Sequence, residues 1–132
     1  MDELRSLKVL VVDDDADSAE LLSIALGRAG ASVEVCHTGA DALEIARRGE
    51  LGAVLFDVGL PDMDGIELFG RLRGTQHNAR AIGFAVAGRG RHERAELSDG
   101  SLGCAQKPID SSELIRRLAS RLAQRRVSES GG

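Results

Sequence analysis

Ala53-Val54-Leu55-Phe56-Asp57-Val58-Gly59-Leu60-Pro61-Asp62-Met63-Asp64-Gly65 is the stretch on which the fold turns. An apolar run ends in one carboxylate, Asp57. A loop with Gly and Pro follows, and then a helix start. A short apolar run bounded by turn signals reads as a strand buried on both faces, as in parallel sheets. Asp57 then lies at the carboxyl end of a central strand. Open α/β sheets place their ligands along that edge. Asp57 is therefore read as a chemical site, and the rest of the chain must supply its partners.

Working outward, Leu7 to Val12 is apolar and β-rich, and Asp13-Asp14-Asp15 ends it. Asp15 or Asp17 can cap a helix with Ala19, Leu22, Ala25, Leu26 and Ala29 on one face, stopped by Gly30. Ala31 to Cys36 is a second strand. Thr38 with Asp41 opens a helix that ends at Gly49. After the central strand, Asp64-Gly65 starts a helix with Ile66, Phe69 and Leu72 inward, ending at Gly74. Thr75 to Arg80 is polar and reads as loop. Ala81 to Ala87 is a fourth strand, and Gly88 to Gly100 a loop with a short, weak helix. Ser101 to Gln106 is a fifth strand, ended by Lys107-Pro108. Asp110 with Glu113 opens the last helix, with Leu114, Ile115, Leu118, Ala119 and Leu122 on its face. Its arginines, Arg116, Arg117, Arg121, Arg125 and Arg126, read as an exposed face. Five strands thus alternate with five helices. That is an α/β class chain: a five-stranded parallel sheet, doubly wound, with helices on both faces. Residues 127–132 read as a flexible polar tail.

The chain has 132 residues, one ordinary domain, and is 42% hydrophobic, enough for a real core. A net charge of -4 argues against a nucleic-acid-binding domain. No apolar run approaches the roughly 20 residues of a membrane span. The N-terminus has no secretory h-region, so the expected compartment is the cytoplasm. Cys36 and Cys104 are far apart and read as free thiols. His37, His77 and His92 have no metal-ligand spacing and read as surface residues.

The ends of strands one, three, four and five share one rim, which brings together Asp13, Asp14, Asp57, Ala87 and Lys107. Two carboxylates about 4 Å apart repel by roughly 4 kcal/mol at an effective dielectric near 20. A hard cation such as Mg²⁺ reverses that sign, because it takes oxygen ligands. With a lysine beside it, such a rim suits the arrival and neutralisation of a phosphoryl group.

Val9-Leu10-Val11-Val12-Asp13-Asp14, the stretch Asp57 to Gly65, Gly100 and Lys107-Pro108 together resemble the receiver domains of two-component response regulators. The resemblance covers residues 7 to about 124 and implies a receiver domain over residues 1–126. It implies the flavodoxin-like strand order 2-1-3-4-5. It implies that Asp57 accepts a phosphoryl group from a histidine kinase phosphohistidine, or from a phosphotransfer protein. Asp13, Asp14, Asp57 and the backbone carbonyl of Gly59 would hold Mg²⁺, and Lys107 would contact the phosphoryl oxygens. The domain would signal by binding a downstream protein and would not turn over a substrate as an enzyme does. Homodimers are compatible with the resemblance; nucleic acid and membrane are not expected partners. Two positions depart from the family pattern. Ala87 stands where a Thr or Ser is usual, and Cys104 where a Tyr or Phe is usual. These departures point to an atypical conformational switch. They also motivate an alternative, a pseudo-receiver that binds partners independently of phosphorylation. Asp13-x-Asp15 resembles the nucleophile motif of haloacid-dehalogenase-type phosphatases, but 132 residues scarcely hold the cap that fold needs.

Overall fold

The computed structural model describes residues 3–87, 102–107 and 109–130, with residues 125–130 described by backbone alone. Five strands form one parallel sheet: β1 (Lys8–Val12), β2 (Ser32–Cys36), β3 (Ala53–Asp57), β4 (Ile82–Ala87) and β5 (Leu102–Gln106). Their order is β2-β1-β3-β4-β5, so the chain reverses its winding direction after β2. Four helices lie among the described residues: α1 (Ala16–Arg28), α2 (Gly39–Arg48), α3 (Gly65–Arg73) and α4 (Ser111–Ser130). The weak helix expected between Gly88 and Gly100 lies outside the described residues.

The inner strands β1, β3 and β4 are apolar on both faces because both faces are covered, whereas the edge strand β2 exposes Ser32 and Glu34. Alternation sorts β1 into two cores: Leu10 and Val12 pack with Ala42 and Ala46 of α2 and with Leu68, Phe69 and Leu72 of α3. Val9 and Val11 pack with Leu22 and Leu26 of α1 and with Leu114, Leu118 and Leu122 of α4. Leu68, fully buried, belongs to the inner face of α3 beside the expected Phe69 and Leu72. The small residues of β4 have a packing reason. A Cβ on Gly83 would lie 2.6 Å from the Phe69 ring.

The helix starts follow local chemistry. Asp15, not Asp17, caps α1, accepting from the N–H groups of Asp17 and Ser18. Thr38 caps α2 and Asp64 caps α3 through side-chain oxygens. Asp110 accepts from the N–H groups of Ser112 and Glu113 at 3.0 and 3.2 Å. Gly30 takes a left-handed φ of 101° after α1, the turn that glycine permits. Two expectations need correction. The backbone of α4 stays helical to Ser130, into the stretch assigned to the tail. No Gly or Pro interrupts it before Gly131, and the Leu-Ala-Gln-Arg-Arg run favours helix. Arg117 and Arg121 are not on a purely solvated face. Their guanidinium carbons sit 5.0 and 5.2 Å from the centroid of the buried Phe84 ring. Gly103 leaves room for them: a Cβ there would lie 2.7 Å from the ring and 3.0 Å from Arg121 Nη2.

The polar loop after α3 contains a buried tie. Asn78 is fully buried. Its amide group donates to the Ala46 carbonyl and to Thr75 Oγ1, each at 2.8 Å, and its Oδ1 accepts from Leu51 N–H at 2.7 Å. It joins the end of α2 and the start of β3 to the α3–β4 connection.

Candidate functional site

Each strand delivers its terminal residue to the carboxyl rim. β1 ends at Val12, and Asp13 follows with its N–H donating to the Cys36 carbonyl at 3.1 Å. Asp13 Oδ1 accepts from Asp15 N–H at 2.9 Å, so the first loop folds over its own carboxylate. Asp57 is the last residue of β3, in register with Val86. Its Oδ1 accepts from Gly59 N–H at 3.1 Å. Gly65 keeps that loop tight. A Cβ there would strike the Asp57 carbonyl and approach Phe56 Cδ2 to 2.7 Å. Lys107 follows β5, with its N–H donating to the Ala87 carbonyl at 2.9 Å.

The lysine must cross the end of β4 to reach β3 and β1, because β4 lies between. β4 ends in Ala87, which presents only a methyl. Lys107 Nζ then stands 3.3 Å from Asp13 Oδ2 and 3.6 Å from Asp57 Oδ2. Oxygens of Asp13, Asp14 and Asp57 all lie within 4.8 Å of one another. Asp13 is buried, Asp57 half-buried and Asp14 exposed, so the cluster opens to solvent on one side.

The charges have the expected consequences. Burial raises the pKa of Asp13, and the Asp57 charge adds to that; the Asp15 N–H and Lys107 oppose it without cancelling it. Burial works to lower the pKa of Lys107, but the Asp13 and Asp57 carboxylates outweigh it and raise the value. The lysine is therefore held as a fixed cation. Three carboxylates with one cation leave negative charge in excess. An all-oxygen donor set of this kind fits a hard divalent ion such as Mg²⁺ and suits softer metals poorly.

The structure brings Asp13, Asp14, Asp57 and Lys107 together as the sequence suggests, with Gly59 bonded to Asp57 through its N–H. Ala87 is buried at the end of β4, within the core on the α2–α3 side. Cys104 is half-buried opposite Ala85 and packs against the same core. Arg89 and Arg91, in the loop after β4, lie outside the described residues. Two residues around the site escaped the sequence reading. His37, though exposed, bonds through Nδ1 to the Asp13 carbonyl at 2.8 Å. Asp62, two residues before the cap Asp64, sends its carboxylate to the start of α2. Nothing in local sequence signals either contact, since both partners are far along the chain.

A doubly wound parallel sheet with carboxylates and a lysine at its carboxyl rim defines a class of α/β domain with an acidic site at the strand ends. Residues 9–119 match the response regulator receiver domain family, and the chain belongs to it. It is 36% identical over 118 residues to a 14.6 kDa protein of Leptolyngbya boryana, covering 88% of this chain and 90% of that protein. It is 33% identical to the response regulator MprA of Mycobacterium tuberculosis over 86% of this chain, but spans only 49% of MprA. Among solved structures, a sensor protein from Polaromonas sp. JS666 superposes with a TM-score of 0.79 at 29% identity, covering 90% of this chain and 98% of that one. A CheY-like receiver domain from Methylobacillus flagellatus gives 0.77 at 28% identity, covering 87% and 98%. The protein is thus a receiver domain of two-component signalling. Such domains interact with histidine kinases or phosphotransfer proteins and generally bind Mg²⁺ at an acidic pocket like the Asp13, Asp14 and Asp57 cluster. No helix among the described residues is long and apolar enough to cross a membrane.

Proposed function

We propose that this domain works in the cytoplasm, that Asp57 accepts a phosphoryl group from the phosphohistidine of a histidine kinase or phosphotransfer protein, and that the domain relays this state by binding a downstream protein. The observation that carries the reading is Lys107 Nζ bridging Asp13 and Asp57 at 3.3 and 3.6 Å on a rim of three carboxylates. Asp13, Asp14 and Asp57, with the Gly59 carbonyl, would hold Mg²⁺. When bound, the ion supplies positive charge against the phosphoryl oxygens and the carboxylates. A carboxylate oxygen of Asp57 attacks phosphorus, and the O–P bond forms as the N–P bond to the histidine breaks. The electron pair returns to the imidazole nitrogen, which takes up a proton. Lys107 holds its proton throughout and offsets charge on the arriving group. Intact mass after treatment with a small acyl phosphate and Mg²⁺ tests this. One added phosphoryl group, lost in Asp57→Asn, is expected; an unchanged mass with no beryllofluoride binding contradicts it.

Ala87 supports an atypical switch. A hydrogen bond to a charged group contributes about 1.5–3 kcal/mol. Without a hydroxyl at Ala87 the bias toward an active state weakens by about ten- to a hundredfold. Amide shifts on loading with beryllofluoride should therefore be larger at β4 and β5 in Ala87→Thr than in the wild type. Full-size shifts in the wild type would show that no hydroxyl is needed. The same residue favours a second reading, a phosphorylation-independent binding module. Partner binding that is unchanged in Asp57→Asn would select it.

A further inference from the structure

The loop that leaves Asp57 is fastened to a second helix. Asp62 Oδ1 accepts from Gly39 N–H at 2.8 Å, and its Oδ2 accepts from Ala40 N–H at 2.9 Å. These are the first N–H groups of α2, which have no partner within the helix. Met63 closes the same junction: a Cβ on Gly39 would lie 2.6 Å from the Met63 side chain. α2 also has a cap of its own, since Thr38 Oγ1 accepts from Asp41 N–H at 3.1 Å. Asp62 therefore does more than end a helix; it joins two loops. The turn before α2 is held from the other side as well. His37 Nδ1 donates to the Asp13 carbonyl at 2.8 Å, and Asp13 N–H donates to the Cys36 carbonyl at 3.1 Å. The start of α2 is thus tied both to the Asp13 carbonyl and to the loop that follows Asp57. On the opposite flank the end of β4 offers Ala87, whose methyl can bond to nothing added at Asp57.

Building on the phosphoacceptor reading, we infer that Asp62 is a positioning residue that couples the state of Asp57 to the first turn of α2. A group added to Asp57 competes with the Gly59 N–H for its oxygens. The loop beyond is pinned at its far end, where Gly65 N–H donates to the Val58 carbonyl at 2.8 Å. Movement of the loop is then passed on through the segment between, where Asp62 and Met63 grip α2. Coupling of this kind is reciprocal, so releasing the grip changes how readily Asp57 is loaded.

The test compares wild type, Asp62→Ala, Asp62→Asn and Thr38→Ala by amide NMR, each titrated with beryllofluoride in Mg²⁺. Thr38→Ala removes a cap from the same helix and leaves the tether, so it reports what loss of α2 stability does alone. In the wild type, the amides of His37, Gly39 and Ala40 are expected to shift together with those of Val58 and Gly59. Asp62→Ala should lose most of the response at Gly39 and Ala40, keep it at Gly59, and bind the mimic with a several-fold altered affinity. Asp62→Asn, which retains one acceptor oxygen, should recover part of the response, and Thr38→Ala should retain it. Silent Gly39 and Ala40 amides in a wild type that responds at Gly59 would overturn the coupling alone. So would a response that survives Asp62→Ala, or one lost equally in Thr38→Ala. No response at Gly59 in any protein would overturn the phosphoacceptor reading, and the coupling with it.

Discussion

Asp14→Asn should stabilise this protein without metal and weaken it with metal. Asp14 shares a cluster with Asp13 and Asp57 in which the carboxylate oxygens lie within 4.8 Å of one another. Lys107 pairs with the other two carboxylates at 3.3 and 3.6 Å. Asp14 therefore bears repulsion from two neighbours with little direct relief. It is exposed, so the water limit of Coulomb's law applies, and each pair costs about 0.9 kcal/mol at 4.8 Å. Salt at about 0.15 M, with a Debye length near 8 Å, brings the sum of two pairs to about 1 kcal/mol. Asparagine keeps the shape and removes the charge. For a chain of this size the melting temperature should rise by about 3–5 °C in EDTA. A divalent ion reverses the order. At a hundred times its dissociation constant, Mg²⁺ stabilises the wild type by about 2.7 kcal/mol, and the variant, short of one ligand, gains less. Thermal melts of both proteins in EDTA and in saturating Mg²⁺ should therefore cross. An Asp14→Asn protein that melts below the wild type in EDTA, or that gains as much from Mg²⁺, would refute the electrostatic account of the rim.

Three further outcomes follow from the geometry. Asn78→Ala should cost roughly 3 kcal/mol in urea unfolding, because a buried Leu51 N–H loses its acceptor and an unmade buried bond costs about 1–3 kcal/mol. Gly65→Ala should cost about 1–3 kcal/mol by the same assay and also weaken Mg²⁺ binding, because its Cβ displaces the backbone that positions Asp57. The Gly39 and Ala40 N–H groups lower the pKa of Asp62 below its ordinary 3.8. A lowered carboxylate pKa means stability that is fully present above pH 3.8 and is lost as pH falls through the folded value. The stability difference between wild type and Asp62→Asn should therefore shrink below pH 3.8 in acid titrations followed by circular dichroism; a difference constant with pH would contradict it.

The sheet and the rim were legible because their signals are local. Each strand is a short apolar run, and Asp13, Asp57 and Lys107 are the residues that end such runs. A parallel sheet then brings strand ends together without further information. The ties across the chain were not legible. Asn78 looks like any polar loop residue, yet its partners, Ala46 and Leu51, come from a different part of the chain. Asp62 stands two residues before a genuine cap, Asp64, and the spacing gave no reason to send its carboxylate to Gly39 instead. Arg117 and Arg121 carry charges that suggest solvent, while their planar heads cover Phe84 beside a glycine that leaves them space. The end of α4 was misplaced because a polar, Ser-rich composition resembles a tail, although nothing in it breaks a helix before Gly131.

Chemical trapping shows which carboxylate carries the phosphoryl group. After incubation with a phosphoryl donor and Mg²⁺, borohydride reduction converts an aspartyl phosphate into homoserine, and peptide mass spectrometry locates the change. Conversion at Asp57 that requires Mg²⁺ and falls sharply in a Lys107→Met protein is the predicted result. Conversion at Asp13 or Asp14, or none at all with a competent donor, would contradict it.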